Sequence, residues 1–413
     1  MVAKKTQNVS DLLQQAITEM SEKHYGNVYT ADQLNAHFSV VPVREFSFRW
    51  LLDANGIFLS KVYFFEGEPG AGKSQFGYDI GARFVDFGGV FILVETENKT
   101  SQVTLEAKMG AERISSGRVV YHQTYSVDAA SDASKEEKAG AWQTAVSNWI
   151  SKFKDDDVLS KLPVFILVDS MTGVAGSETR EEFNKHGTMG GRTFAEGATA
   201  NSIARFFRNI GAELANTNIT LAFTNHIKPD MSSTGGYGPP KKRSVGGEQP
   251  KFHSACTLRF TKGPNEKQKK ENELRRTVKI KVIKQSFGVG GRELVLPFYV
   301  RNLRDENGDI LDKYGNPVRE INWDWDEATC ILLYSFCAVE SKGGSKALHD
   351  LLPIDRYAGK YSVKSKGIEP SSPREFCEAL AANAELNDAL RGSIVLSYNN
   401  YPVFESADGK AGT

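Results

Sequence analysis

The chain has 413 residues, enough for one large α/β domain with appendages or for about two to three average domains. At 40% hydrophobic and 25% charged residues, it has the composition of an ordinary folded protein rather than a disordered or fibrous one. Lys plus Arg and Asp plus Glu both number 51, so net charge points to no polyanionic partner, and any such partner must be met by locally concentrated charge.

The four cysteines, Cys256, Cys330, Cys337 and Cys377, form no CxxC pair and no metal-ligand spacing. They read as reduced, buried thiols. The N-terminal stretch has no apolar signal-type region, and no segment is long and apolar enough to span a bilayer. The expectation is a soluble, cytoplasmic chain with no membrane partner.

Residues 10–22 predict a short amphipathic helix capped by Ser10, with Leu12, Leu13, Ala16, Ile17 and Met20 at helical spacing. Its apolar face must pack on the chain's own core or on a neighbouring subunit. From about residue 60, short apolar runs read as buried strands at 62–65, 90–94, 118–121, 164–168 and 219–223. Helices are predicted between them. One covers 137–153, with a stripe of Trp142, Val146, Trp149, Ile150 and Phe153. Another covers 194–215, with Ile203, Phe206, Phe207, Ile210 and Leu214 facing inward. This alternation implies an α/β fold with a mainly parallel sheet, whose ligands bind at the carboxyl ends of the strands. Beyond residue 250 the chain turns β-rich, at 255–260, 277–283 and 294–300. Turn signals after 301 then introduce a small α+β C-terminal domain, whose clearest helix is expected at 372–390.

GEPGAGKS at 67–74 completes the GxxxxGK[ST] pattern between a predicted strand and a helix. In such a loop Gly67, Glu68, Pro69, Gly70, Ala71 and Gly72 turn successive backbone N–H groups toward a phosphate, and the following helix adds its dipole. Lys73 then reaches the outer phosphates, and the Ser74 hydroxyl ligates Mg²⁺. Asp169 ends the apolar run VFILVD, a place where an acid serves a metal, through water, or a cap. Glu95 and Glu97 lie two apart after the strand at 90–94. Glu97, nearer the carboxyl end, is the candidate base for an attacking water, with Glu95 in a supporting role.

The ordered motifs resemble those of the RecA-type strand-exchange recombinases, bacterial and bacteriophage, across roughly 10–300. They are AITEMSEKHYG, the loop at 67–74, TEN at 96–98, LVDSMTG at 167–173, FTNHI at 223–227, SVGGEQPKFHSACTLRF at 244–260 and VKIKVIK at 278–284. The resemblance implies an N-terminal oligomerisation segment (1–37), a RecA-like P-loop ATPase core (38–300) and a C-terminal domain (301–413). It implies ATP and Mg²⁺ as cofactors, Glu97 as the catalytic glutamate and His226 as a γ-phosphate sensor. Lys284 would be a cation offered across a subunit interface. The chain departs from the family at Ser286, where a second lysine is usual, and in a longer stretch over 124–162.

Two long loops leave the strand ends. The first, 174–192, is glycine-rich and carries Met189, Gly190 and Arg192. The second, 228–247, carries Lys241, Lys242, Arg243, Gly246 and Gly247. Cations and backbone N–H groups suit DNA phosphates, and isolated apolar side chains suit stacking or wedging between bases. A third basic stretch, 262–284, holds nine Lys or Arg against three Glu. The implied function is a recombinase that forms helical filaments on single-stranded DNA and pairs it with homologous duplex. The alternatives are a non-exchanging regulatory or structural ATP-binding filament, and a hexameric helicase. The helicase would need a sizeable N-terminal domain where residues 1–66 precede the loop.

Overall fold

In a computed structural model of the chain, the described residues are 18, 39–97, 100–124, 141–171, 192–229, 242–244, 249–265, 273–306, 308–312, 315–340, 354–357, 360–363, 376, 378–379, 381–384 and 403–404. The helix expected over 10–22, apart from Thr18, and most of that over 372–390 lie outside them.

Strands β1 (Val40–Pro42) and β2 (Gly56–Phe58) pair antiparallel and flank helix α1 (Phe46–Leu52). Then come β3 (Val62–Gly67), α2 (Lys73–Asp86), β4 (Val90–Glu95), α3 (Gln102–Met109), α4 (Ala111–Ser115) and β5 (Val119–Gln123). The chain continues through α5 (Ala141–Asp155), β6 (Val164–Asp169), α6 (Arg192–Leu214), β7 (Ile219–Pro229), β8 (Lys242–Ser244) and α7 (Gln249–His253). Three long strands follow: β9 (Cys256–Asn265), β10 (Glu273–Gln285) and β11 (Glu293–Asn302). A small ribbon of β12 (Arg304–Asp305) and β13 (Gly308–Asp309) precedes β14 (Arg319–Trp323), α8 (Trp325–Glu340) and the pair β15 (Ile354–Tyr357) and β16 (Lys360–Val363).

The main sheet has the order β14-β11-β10-β9-β3-β7-β6-β4-β5, with β8 paired to β7. From β9 to β5 neighbouring strands run parallel, whereas β9, β10, β11 and β14 form an antiparallel extension. The chemistry of connection explains the division: helical crossovers return the chain in the same direction, and direct turns reverse it.

The runs Val62–Phe65, Val90–Val94 and Val164–Val168 of β3, β4 and β6 are apolar because both faces are covered. Successive residues alternate between two cores. Tyr63, Phe65, Phe91, Leu93, Phe165 and Leu167 pack with α1 and α2. Phe64, Ile92, Val94, Ile166, Val168 and Phe223 pack with α5 and α6. The predicted stripes of those two helices supply the second core, with Trp142, Val146, Ile150, Phe153, Ile203, Phe207, Ile210 and Leu214 all buried. Each such side chain contributes about 1.5–3 kcal/mol of transfer free energy.

Several expectations are corrected. The run at 118–121 reads as a buried strand, but β5 is the sheet's edge and Tyr121 is exposed. The strand expected at 219–223 extends to Pro229, so the second loop, expected from 228, begins inside β7. The apolar pattern stops at Phe223, but backbone pairing with β3 and β8 carries the polar residues onward. Residue 300, where the core was expected to end, lies within β11. Beyond it β14 adds another strand, and the Trp325 ring of α8 stacks on Phe48 at 4.7 Å. Cys330 is disulfide-bonded, against the reading of four reduced thiols, while Cys256 is a free, buried thiol. Thiol proximity is set by folding, not by spacing in sequence.

Candidate functional site

The strand β3 delivers the glycine-rich loop, and α2 begins at Lys73 directly after it. Gly70 and Gly72 have φ of 69° and 86°, the left-handed region that a residue with a Cβ avoids. A Cβ on Gly72 would also lie 2.9 Å from the Trp323 ring of β14. The loop therefore needs glycine there both for its turn and for the wall beside it. Beneath it, Phe76 of α2 meets Phe65 edge-on at 5.5 Å, Phe260 at 5.2 Å and Trp323 at 6.4 Å. This aromatic floor locks the first turn of α2 to both parts of the sheet.

Lys73 is buried, and its Nζ donates to Gly67 O at 3.0 Å and Glu68 O at 2.8 Å, holding the ammonium against the loop. Register then aligns the other candidates. His226 lies opposite Gly67 across β3 and β7, and Asp169 lies opposite Glu95 across β6 and β4. Lys73, Ser74, Glu95, Glu97, Asp169 and His226 all line one cleft of about 350 Å³. The loop backbone at Pro69, Gly70 and Gly72 forms part of its floor.

The acids differ in their surroundings. Glu95 is buried and accepts hydrogen bonds from Thr100 N at 3.3 Å, Thr100 Oγ1 at 2.7 Å and the Tyr121 hydroxyl. Such saturation fits a structural carboxylate. Glu97 is half-buried, and its Oε1 accepts the Ser170 hydroxyl at 2.8 Å, which orients it beside the cleft. Asp169 Oδ1 accepts Thr224 Oγ1 at 2.6 Å. Tyr78, one turn beyond Lys73 on α2, is fully buried at the same cleft. Burial first, then the charge on Asp169, pushes its phenol well above the ordinary value, so it stays a neutral wall.

The opposite wall comes from the antiparallel extension. Arg276 of β10, Phe298 and Val300 of β11, and Arg319, Ile321 and Trp323 of β14 face the loop. Lys108 of α3 closes the third side, its Nζ 4.6 Å from the Tyr78 ring centre. The cleft is thus cationic and apolar on one side and acidic on the other, an arrangement able to hold a phosphate chain with an attached apolar moiety. Sequence reasoning missed Thr224, Ser170, Tyr78 and the whole extension wall. Only the polar residues at the ends of apolar strands carried a local signal.

Lys284 lies elsewhere. Its Nζ donates to the carbonyls of Lys251 at 2.9 Å, Phe252 at 2.6 Å and Ser254 at 2.7 Å, which caps the carboxyl end of α7. Burial lowers its pKa from the ordinary value. Of the candidate DNA contacts, Lys242 and Arg243 lie in β8, paired to Pro229 and Lys228 of β7, and Arg192 opens α6. Met189, Gly190, Lys241, Gly246 and Gly247 lie outside the described residues. No protein-family profile matches this chain, and no curated protein matches it in sequence.

Proposed function

We propose that the chain is an ATP-dependent recombinase of the RecA type, which assembles on single-stranded DNA and exchanges it with homologous duplex. The observation that carries this reading is the convergence on one cleft of the phosphate loop and Ser74 after β3, Glu97 after β4, Asp169 at the end of β6 and His226 within β7.

In this reading the loop's N–H groups and Lys73 bind the β- and γ-phosphates of ATP. Mg²⁺ would be held by the Ser74 hydroxyl and, through water, by Asp169, and supplies charge neutralisation on the phosphates. Such a cation needs only one or two protein oxygens when phosphates and water complete its shell. That agrees with the donor set, although among the described residues no cluster of three or more His, Cys, Asp or Glu could hold a metal by itself. Glu97, steadied by Ser170, takes the proton of the water that attacks the γ-phosphorus, and the bond to the ADP oxygen breaks. His226 sits between this centre and the β7–β8 hairpin that carries Lys242 and Arg243. A change at the γ-phosphate can therefore move the segment expected to bind DNA. Among the described residues no helix is long and apolar enough to cross a membrane.

The test is ATP hydrolysis with and without single-stranded DNA, in wild type and His226→Ala. Stimulation by DNA that is lost in the variant supports the recombinase. Equal rates with and without DNA would favour the regulatory filament and remove strand exchange.

A further inference from the structure

Along β10 the even-numbered residues Val278, Ile280 and Val282 point into the first core, and their odd-numbered neighbours Lys279 and Lys281 are exposed. Arg276 belongs to the even, inward series. On β9 the inward series is Cys256, Leu258 and Phe260, and Lys262 continues it. A one-residue shift in the β9–β10 pairing falls between Arg276 and Val278, and bulges of this kind re-aim side chains beside sites. The result is a half-buried Arg276 at the edge of the apolar face, where its buried Nε is costly unless an anion meets it, with the exposed Lys262 beside it.

Among the described residues no protein anion meets them: neither Arg276 nor Lys262 makes an ion pair, and the Arg276 Nε is buried without a hydrogen-bond partner. Of the other cations of the extension, Arg275 pairs with Glu327, Lys279 with Glu293 and Arg301 with Glu320, while Lys281 and Arg319 are exposed to solvent. Arg276 and Lys262 instead reach the phosphate loop. Arg276 lines the main cleft with Gly70 and Lys73, and together with Lys262 it lines a second small hollow against Gly70 and Ala71. The Lys262 Nζ lies 3.5 Å from where a Cβ on Gly70 would stand.

We propose that Arg276, seconded by Lys262, binds the phosphate chain of the nucleotide from within the same subunit. This rests on the nucleotide reading of the cleft given above. The same subunit's Lys284 is committed to the carbonyls of α7, so the β9–β10 hairpin supplies the cations on this side of the loop. A guanidinium offers a fork of donors suited to phosphate oxygens, and beside Gly70 it faces the outer end of the chain. That no described carboxylate pairs with Arg276 suits this role, since an internal ion pair would compete with the nucleotide.

The experiment measures binding of fluorescent mant-AMP-PNP and mant-ADP to wild type, Arg276→Met, Arg276→Lys and Lys262→Ala, with Lys73→Ala as control. Methionine suits the apolar face, so Arg276→Met should unfold at the wild-type midpoint or above it. It should bind mant-AMP-PNP at least about tenfold more weakly, with a smaller loss for mant-ADP. Arg276→Lys should recover part of the loss, and Lys262→Ala should show a smaller one. Wild-type affinity for both nucleotides in Arg276→Met, with Lys73→Ala impaired, overturns this proposal alone. A loss confined to binding of a fluorescein-labelled oligothymidylate overturns it in favour of a nucleic-acid phosphate contact. Failure of wild type to bind either nucleotide overturns the reading of the cleft and this proposal together.

Discussion

Glu66 is the penultimate residue of β3, the strand that delivers the phosphate loop, and its carboxylate is wholly buried between two cations. Oε1 accepts from Arg259, Nε at 2.7 Å and Nη2 at 2.5 Å, while Oε2 lies 3.3 Å from Lys251 Nζ. Exposure is unequal: 0% for Glu66, 32% for Arg259 and 17% for Lys251. If the acid is lost, both cations can turn toward water. If the arginine is lost, a wholly buried carboxylate loses its closest cation, and the lysine remains at 3.3 Å. Breaking a fully buried pair costs about 3–5 kcal/mol. Partial exposure of the cations should lower Glu66→Gln to about 1–2 kcal/mol, and Arg259→Met should stay near 3 kcal/mol, at about the lower end of that range. A double-mutant cycle should return a coupling of about 1.5–3 kcal/mol. The assay is denaturant unfolding followed by circular dichroism, with free energies taken from midpoint and slope. The reasoning is refuted if Arg259→Met costs no more than Glu66→Gln, or if the coupling falls below about 0.5 kcal/mol.

Four further outcomes are expected. Lys73→Ala should abolish nucleotide binding and ATP-dependent filament formation, measured by fluorescence titration and electron microscopy. Glu97→Gln should keep nucleotide and DNA binding but lose about 10²–10⁴-fold in turnover, and unimpaired hydrolysis would remove Glu97 from the base role. Burial lowers the pKa of His122, whose Nδ1 accepts the Trp149 indole N–H at 3.0 Å. The fold therefore favours the neutral ring. That contribution is complete above the unfolded value of about 6.5 and is lost as pH falls through the lower folded value, so His122→Gln should flatten the stability profile below about pH 6.5. Burial pushes the Cys256 thiol up to about 12, so peptide mapping after alkylation at pH 8 should find it modified only once urea unfolds the chain.

The parts of the site that could be read locally are those whose chemistry demands a particular residue at a particular step along the backbone. Gly70 and Gly72 are required by positive φ, and Lys73 and Ser74 by the helix start that follows. Asp169 stood out because an acid closes an otherwise apolar strand. The two cores were legible for a similar reason. A strand covered on both faces carries an unbroken apolar run up to its functional end, as in β3, β4 and β6, and a helix covering it must carry a stripe, as in α5 and α6.

The partners of those residues were not legible, because they arrive from distant parts of the chain. Thr224 meets Asp169 across 55 residues and Ser170 meets Glu97 across 73. Arg259 meets Glu66 across 193, and Ser47 of α1 donates to the Trp325 carbonyl across 278. The extension wall was hidden for the same reason. Arg276 reads in sequence as one charge in a basic run, and only its place on the inward face of β10 makes it an unpaired cation beside Gly70. Local sequence thus determined which backbone could curl around a phosphate and which segments had to be buried. Tertiary structure decided which charges are neutralised, because pairing depends on strand register and sheet order, which bring together residues that no spacing along the chain connects.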